Sequence, residues 1–314
     1  MRAAVSLAAL LMAAGCTALL AAGCTVLLAS GCTVPAEEPT PVLRASSQLP
    51  EAERQLLEAW RSRGSDWPLV REQALEDPRL ASFLVDNALL DLIRAWQRGE
   101  FTFTEAGGYE EVRAEVLALG AAAAPSVAAL LGLGNGYGPA IASDVLLRLG
   151  PAGARALLAE VAPDRSALVR GQALDLLGGF APLGADLEAQ VRTAAIDALA
   201  RDPEWIVRER AARTLARRAA GGRQGEDATL DAVGALSRGL RDADPAVVRA
   251  AAVGLGLVGD RRAVPALVNH LERVLRGDDL AAARAAQRGL ETLTGATGPR
   301  TPAQWRDWLR GARR

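Results

Sequence analysis

Four times in the second half of the chain a short acidic turn is followed, about one helical turn later, by an arginine and then a run of small apolar residues. The copies run from Asp164 to Val169-Arg170, Asp202 to Val207-Arg208, Asp244 to Val248-Arg249, and Asp278-Asp279 to Ala283-Arg284. The leucines that follow them, Leu177, Leu215, Leu255 and Leu290, are 38, 40 and 35 residues apart. That period has room for two helices and two turns, and a unit of this size cannot bury its apolar face alone. Neighbours must stack on it. The expected fold is an all-α solenoid of helix pairs, which offers an extended surface for holding other molecules rather than one deep reactive pocket.

Composition narrows the chemistry. Half of the 314 residues are hydrophobic but only 4% are aromatic, so the helices pack through Ala, Leu and Val at close range. All 36 basic residues are arginine. Without a lysine there is no Schiff base and no GxxxxGK phosphate loop. A formal charge of −1 argues against a dedicated nucleic-acid binder, whose affinity would come mainly from a basic surface.

The first 31 residues read as a leader. Arg2 precedes an apolar run in which Ala13-Ala14-Gly15-Cys16-Thr17-Ala18-Leu19-Leu20 recurs almost three times and holds all three cysteines, Cys16, Cys24 and Cys32. A positive start, an apolar core and small residues before a Cys resemble a bacterial lipoprotein signal peptide, cleaved before a cysteine that becomes lipid-modified. Ala13, Ala21 and Ala29 stand where that family usually has Leu. Cys32 is the favoured site, with Cys24 and Cys16 as alternatives, because cleavage there leaves no apolar remnant. The rival is an uncleaved membrane helix, since Ala3 to Val34 exceeds the ~20 residues that span a bilayer. Either reading puts the body outside the cytoplasm, with lipid anchoring implying the periplasmic face of the cell envelope and the outer-membrane lipoprotein class. Residues 32–47, rich in Pro and Glu, form an extended tether.

Beyond residue 48 apolar spacing of three and four recurs nearly everywhere. Residues 48–119 form an N-terminal helical region, with helices expected near Pro50 to Arg63, Pro68 to Leu75, Pro78 to Arg98 and Glu105 to Leu119. Asp77 is a good N-cap before Pro78. Residues 120–295 hold the repeats, as units 121–149, 151–180, 183–219, 226–259 and 261–294. Asp202-Pro203 and Asp244-Pro245 read as the same device, an N-cap followed by a first-turn proline. Residues 296–314 form a capping helix, started by a Thr301-to-Gln304 capping box and carrying Trp305 and Trp308.

Asp-Pro-Glu-Trp-Ile-Val-Arg at 202–208 and Arg-Arg-Ala-Val-Pro-Ala-Leu-Val at 261–268 resemble HEAT repeats. The ending Leu-Glu-Thr-Leu-Thr-Gly at 290–295, with Trp305 and Trp308, is similar to the close of many bacterial HEAT-repeat proteins. The resemblance implies a non-enzymatic protein-interaction scaffold that binds through its second helices. It also implies that the recurring Asp and Arg form a ladder between repeats, from Asp164, Asp202 and Asp244 and from Arg170, Arg208, Arg249 and Arg284. Arg249 lies six residues before its leucine where Arg208 lies seven, which puts the fourth repeat out of register. Two rivals come from the same resemblance: a tetrapyrrole-attachment lyase like the phycobilisome lyases, and a DNA-binding HEAT-like protein.

Other candidates carry less. Arg210, Arg213 and Arg217 cluster opposite the apolar stripe and suit an acidic partner, although an ordinary solvated face is the simpler reading. Tyr137, in the turn from Gly132 to Gly138, is a further candidate contact; that glycine run follows a helix rather than a strand and reads as a turn. His270 is the only histidine, has no metal-ligand partners in sequence, and reads as lying on a polar helix face. No nucleophile and base can be paired. No cofactor, metal or small-molecule substrate is expected; the expected partners are an unknown protein and the membrane.

Overall fold

The computed structural model describes residues 50–62, 65–97, 99, 107–133, 136–220, 225–277 and 279–311. The leader with Cys16, Cys24 and Cys32, the tether, Gly134, Asn135, residues 221–224, Asp278 and the side chain of Trp96 lie outside the described residues. The chain divides into residues 1–54 and 55–314. Of the first unit only Pro50 to Arg54 is described, the opening of helix α1 (Glu51–Ser62), where Arg54 and Glu51 pair.

Among the described residues the fold is all-α, without strands. Three helices follow α1: α2 (Trp67–Glu76), α3 (Pro78–Gln97) and α4 (Gly107–Ala118). The repeats then give α5 (Ala124–Ala129) with α6 (Tyr137–Arg148), α7 (Pro151–Glu160) with α8 (Ala167–Leu177), and α9 (Ala185–Arg201) with α10 (Trp205–Ala219). Next come α11 (Glu226–Gly239) with α12 (Pro245–Val258), α13 (Val264–Arg276) with α14 (Leu280–Thr294), and the terminal α15 (Pro302–Gly311). The second helices α8, α10, α12 and α14 lie side by side in one layer, and α9, α11 and α13 pack behind them.

The ends of these helices follow from single residues. Asp244 caps α12, accepting from the Ala246 N–H at 2.7 Å, with Pro245 at the first position, where a missing N–H costs nothing. Asp279 caps α14 in the same way through the Ala282 N–H at 2.9 Å. The start of α10 differs from the expectation. Its N-cap is Glu204, and Asp202 instead closes the end of α9 and accepts from the Glu204 N–H at 2.9 Å. Asp202-Pro203 and Asp244-Pro245 look alike in sequence but sit two residues apart in the repeat. Before α15, the Thr301 hydroxyl accepts from the Gln304 N–H, and the Gln304 amide oxygen accepts from the Thr301 N–H, the reciprocal capping box.

Two stretches of core result. One runs from Trp60 to Val191 and the other from Leu174 to Trp305. Leu177, Leu215, Leu255 and Leu290 are all buried. In the first, Trp60 and Trp67 meet edge to face at 4.6 Å, and Trp67 donates to Glu115 at 2.9 Å. In the second, Trp305 is fully buried, donates to Gln287 at 3.0 Å, and meets Trp308 edge-on at 5.9 Å. Where α12 crosses α14 the two backbones touch: a Cβ on Gly256 would lie 2.9 Å from the Gly289 backbone, and one on Gly289 would lie 2.5 Å from the Ala252 oxygen. Only glycine permits that approach.

Candidate functional site

The second-helix layer carries the charged residues that recur with the repeat, and the structure sorts them into two groups. In the first group are bidentate pairs between repeats. Arg170 on α8 donates through Nε and Nη2 to both oxygens of Asp202, each at 2.8 Å, and its Nη1 bonds the Arg165 carbonyl. Arg208 on α10 repeats this geometry on Asp242, at 2.8 and 2.9 Å, and its Nη1 reaches the Asp202 and Pro203 carbonyls. Each arginine therefore ties the turn of its own repeat to the turn of the next, in the fork geometry that suits a guanidinium to a carboxylate. Both pairs are largely withdrawn from solvent. Burial alone would raise the Asp242 carboxyl, but the bonds from Arg208 and the Asp244 N–H hold it below its ordinary value.

Aligning the repeats on their buried leucines explains the pattern and corrects the sequence reading. The rung acid stands thirteen residues before the leucine: Asp202, Asp242 and, in the last repeat, Gly277. The rung arginine stands seven before: Arg170, Arg208, then Val248 and Ala283. The second rung therefore ends on Asp242, not Asp244, which is a helix cap. Beyond it the ladder loses both halves at once, Val248 on one side and Gly277 on the other. Asp164 occupies a rung position but is exposed and forms no ion pair among the described residues.

Arg249 and Arg284 stand six residues before their leucines, and one residue on a helix is about 100° of rotation. That turn carries them off the inter-repeat seam and onto the open face of the layer. A groove of about 480 Å³ runs there across α10, α12 and α14. Arg213, Arg249 and Arg288 rise from it around Val253 and Leu257, which are 40% and 49% exposed. Arg213 bonds Glu209 within the groove. Among the described residues Arg249, Arg284 and Arg288 form no hydrogen bond or ion pair.

The remaining candidates are committed to structure. Arg210 and Arg217 both hold Asp175 on α8, at 2.7 and 3.1 Å, so two of the three arginines expected to await an acidic partner are clasped to their own neighbour. Tyr137 is half-buried against the first core stretch. His270 is not on a polar face; it is 3% exposed, and Arg273 lies 2.7 Å from its Nδ1. Burial first, and then Arg273, push its pKa down to about 4, with Asp279 opposing. A larger hollow, about 600 Å³, beside Phe180 and Leu183 is lined by the Arg218–Glu188 pair, in which Arg218 also bonds the Phe180 carbonyl at 2.7 Å. Among the described residues no group of His, Cys, Asp and Glu could hold a metal ion.

Residues 192–291 match a family model described as HEAT repeats. This segment is similar to HEAT repeats. It runs from within α9 to within α14, and so contains the Arg208–Asp242 rung and the whole groove. Solved structures similar to the chain include the following two. One is an engineered protein, 19% identical with a TM-score of 0.40, covering 77% of this chain and 68% of that one. The other, a computationally designed armadillo repeat protein for modular peptide recognition, is 16% identical with a TM-score of 0.39, covering 76% and 99%. No curated protein matches.

Proposed function

We propose that the chain is a non-enzymatic protein-interaction scaffold which holds its partner on the face of the second helices, lipid-anchored outside the cytoplasm. One observation carries the first part: the segment 192–291 presents a groove with exposed Val253 and Leu257 and with Arg249 and Arg288 unpaired among the described residues, while Arg170, Arg208, Arg210 and Arg217 of the same layer are used between repeats. Exposed apolar side chains rimmed by charge are what a docking surface needs. The second part rests on the leader, whose Cys32, preceded by Ser30-Gly31, has the form of a lipidated cysteine. Among the described residues no single helix is long and apolar enough to cross a membrane.

The test places a photocrosslinking residue at Val253 and, separately, at exposed Leu230 on α11, in cells fed a palmitate analogue. A defined partner crosslinked from Val253 and not from Leu230 supports the scaffold. Equal crosslinking from both positions removes it. Loss of the lipid label in Cys32→Ser, with retention in Cys24→Ser and Cys16→Ser, supports the anchor; a label absent from the intact protein ends that part alone.

A further inference from the structure

The charge of the second-helix layer changes along the repeats. On α8 and α10 the acids Asp175 and Glu209 neutralise Arg210, Arg217 and Arg213. On α12 and α14 the register shift has delivered Arg249 and Arg284 to the open face, Arg288 stands one turn beyond Arg284, and none of the three meets a carboxylate among the described residues. Between them lies an apolar floor of Val253 and Leu257, with Gly254 and Ala285 leaving the floor low. The groove is therefore half of a charge pattern: cations on two adjacent helices flanking a hydrophobic strip.

We propose that this groove takes an acidic peptide segment of the partner protein, in which two carboxylates flank an apolar side chain. Arg249 and Arg288 each offer a planar fork matched to a carboxylate, and the apolar side chain rests on Val253 and Leu257. Packed helices lie ~8–10 Å apart, so the way from α10 to α14 is about 20 Å. About six extended residues span it. The hydrophobic strip favours a peptide over a nucleic acid, whose phosphates need only charge. This proposal rests on the scaffold reading and adds the chemistry of the partner.

Fluorescence anisotropy with a short fluorescein-labelled peptide of Glu and Leu tests it on the purified protein. The peptide should bind, more weakly as salt rises, and Arg249→Glu/Arg288→Glu should weaken it about tenfold or more. Arg155→Glu, on α7 away from the groove, should leave binding unchanged, and circular dichroism of each variant checks its helix content. A peptide with Arg in place of Glu should prefer the doubly reversed variant, a gain that damage to the fold does not produce. Equal binding of a Gln-for-Glu peptide, or undiminished binding by the double variant, overturns the proposal. So does tighter binding of a single-stranded oligonucleotide of similar length. A partner crosslinked from Val253 without any acidic-peptide binding would leave the scaffold standing and remove this inference only.

Discussion

Arg170 and Arg249 stand at what look like equivalent places, yet one is locked in a bidentate pair and the other has no side-chain partner among the described residues. Removing them should have unlike consequences. Arg170→Ala strands the Asp202 carboxylate in a nearly dry seam and should cost about 3 kcal/mol in urea denaturation. Arg249→Ala should stay within about 0.5 kcal/mol. Equal losses would mean that the ladder contributes nothing special. His270 gives a second expectation. Its folded pKa of about 4 lies below the ordinary 6.5, so protons favour the unfolded chain. The stability of the neutral buried ring is complete above pH 6.5 and is lost as pH falls towards 4. His270→Gln should flatten stability across that interval. The depressed Asp242 carboxyl acts lower, its contribution being present above the ordinary 3.8 and lost as pH falls through its folded value. A variant as steep as the parent between pH 6.5 and 4 would exclude the histidine as the source. At this scale the sequence was a partial guide. It offered His270 only as a polar residue on a helix, because burial of one side chain depends on neighbours from another repeat, here the Leu240 region that Arg273 also reaches.

At the scale of the element, the period of the repeat and the buried leucines could be read directly, since apolar spacing of three and four needs no partner to be visible. Helix ends followed where cap chemistry was local, as at Asp244 and Thr301. What misled was the repeated Asp-Pro pair, which draws the eye to Asp202 and Asp244 although the leucines align Asp202 with Asp242. The leucines carried that signal all along. The offset of Arg249 is visible in the sequence, yet the resemblance counts it with Arg284 as a rung; the aligned leucines turn both off the seam, and Arg249 lines the groove. The packing of α12 on α14 makes a sharper prediction. In Gly289→Ala the new methyl meets the Ala252 carbonyl, so the helices must part. A loss of about 1–3 kcal/mol is expected, read by thermal unfolding, although alanine is the better helix former. A variant as stable as the parent would show that the two backbones do not touch.

For residues 55–314 as a whole, two stretches of core that meet around α8 imply that the two ends need not unfold together. Leu215→Ala and Leu255→Ala should each cost about 2–5 kcal/mol. The loss should appear first in hydrogen exchange of α10 to α14, while α3 and α5 keep their protection. Uniform loss along the chain would point to one indivisible core instead. The contact of Gly256 with Gly289 has a consequence for descent. The spacing of the two helices beneath the groove is set by main chain alone, and almost any replacement at those positions is refused. The rim arginines, by contrast, bear no weight in the fold. A lineage carrying this protein can thus exchange the lettering of its recognition surface freely while the page on which it is written keeps its dimensions.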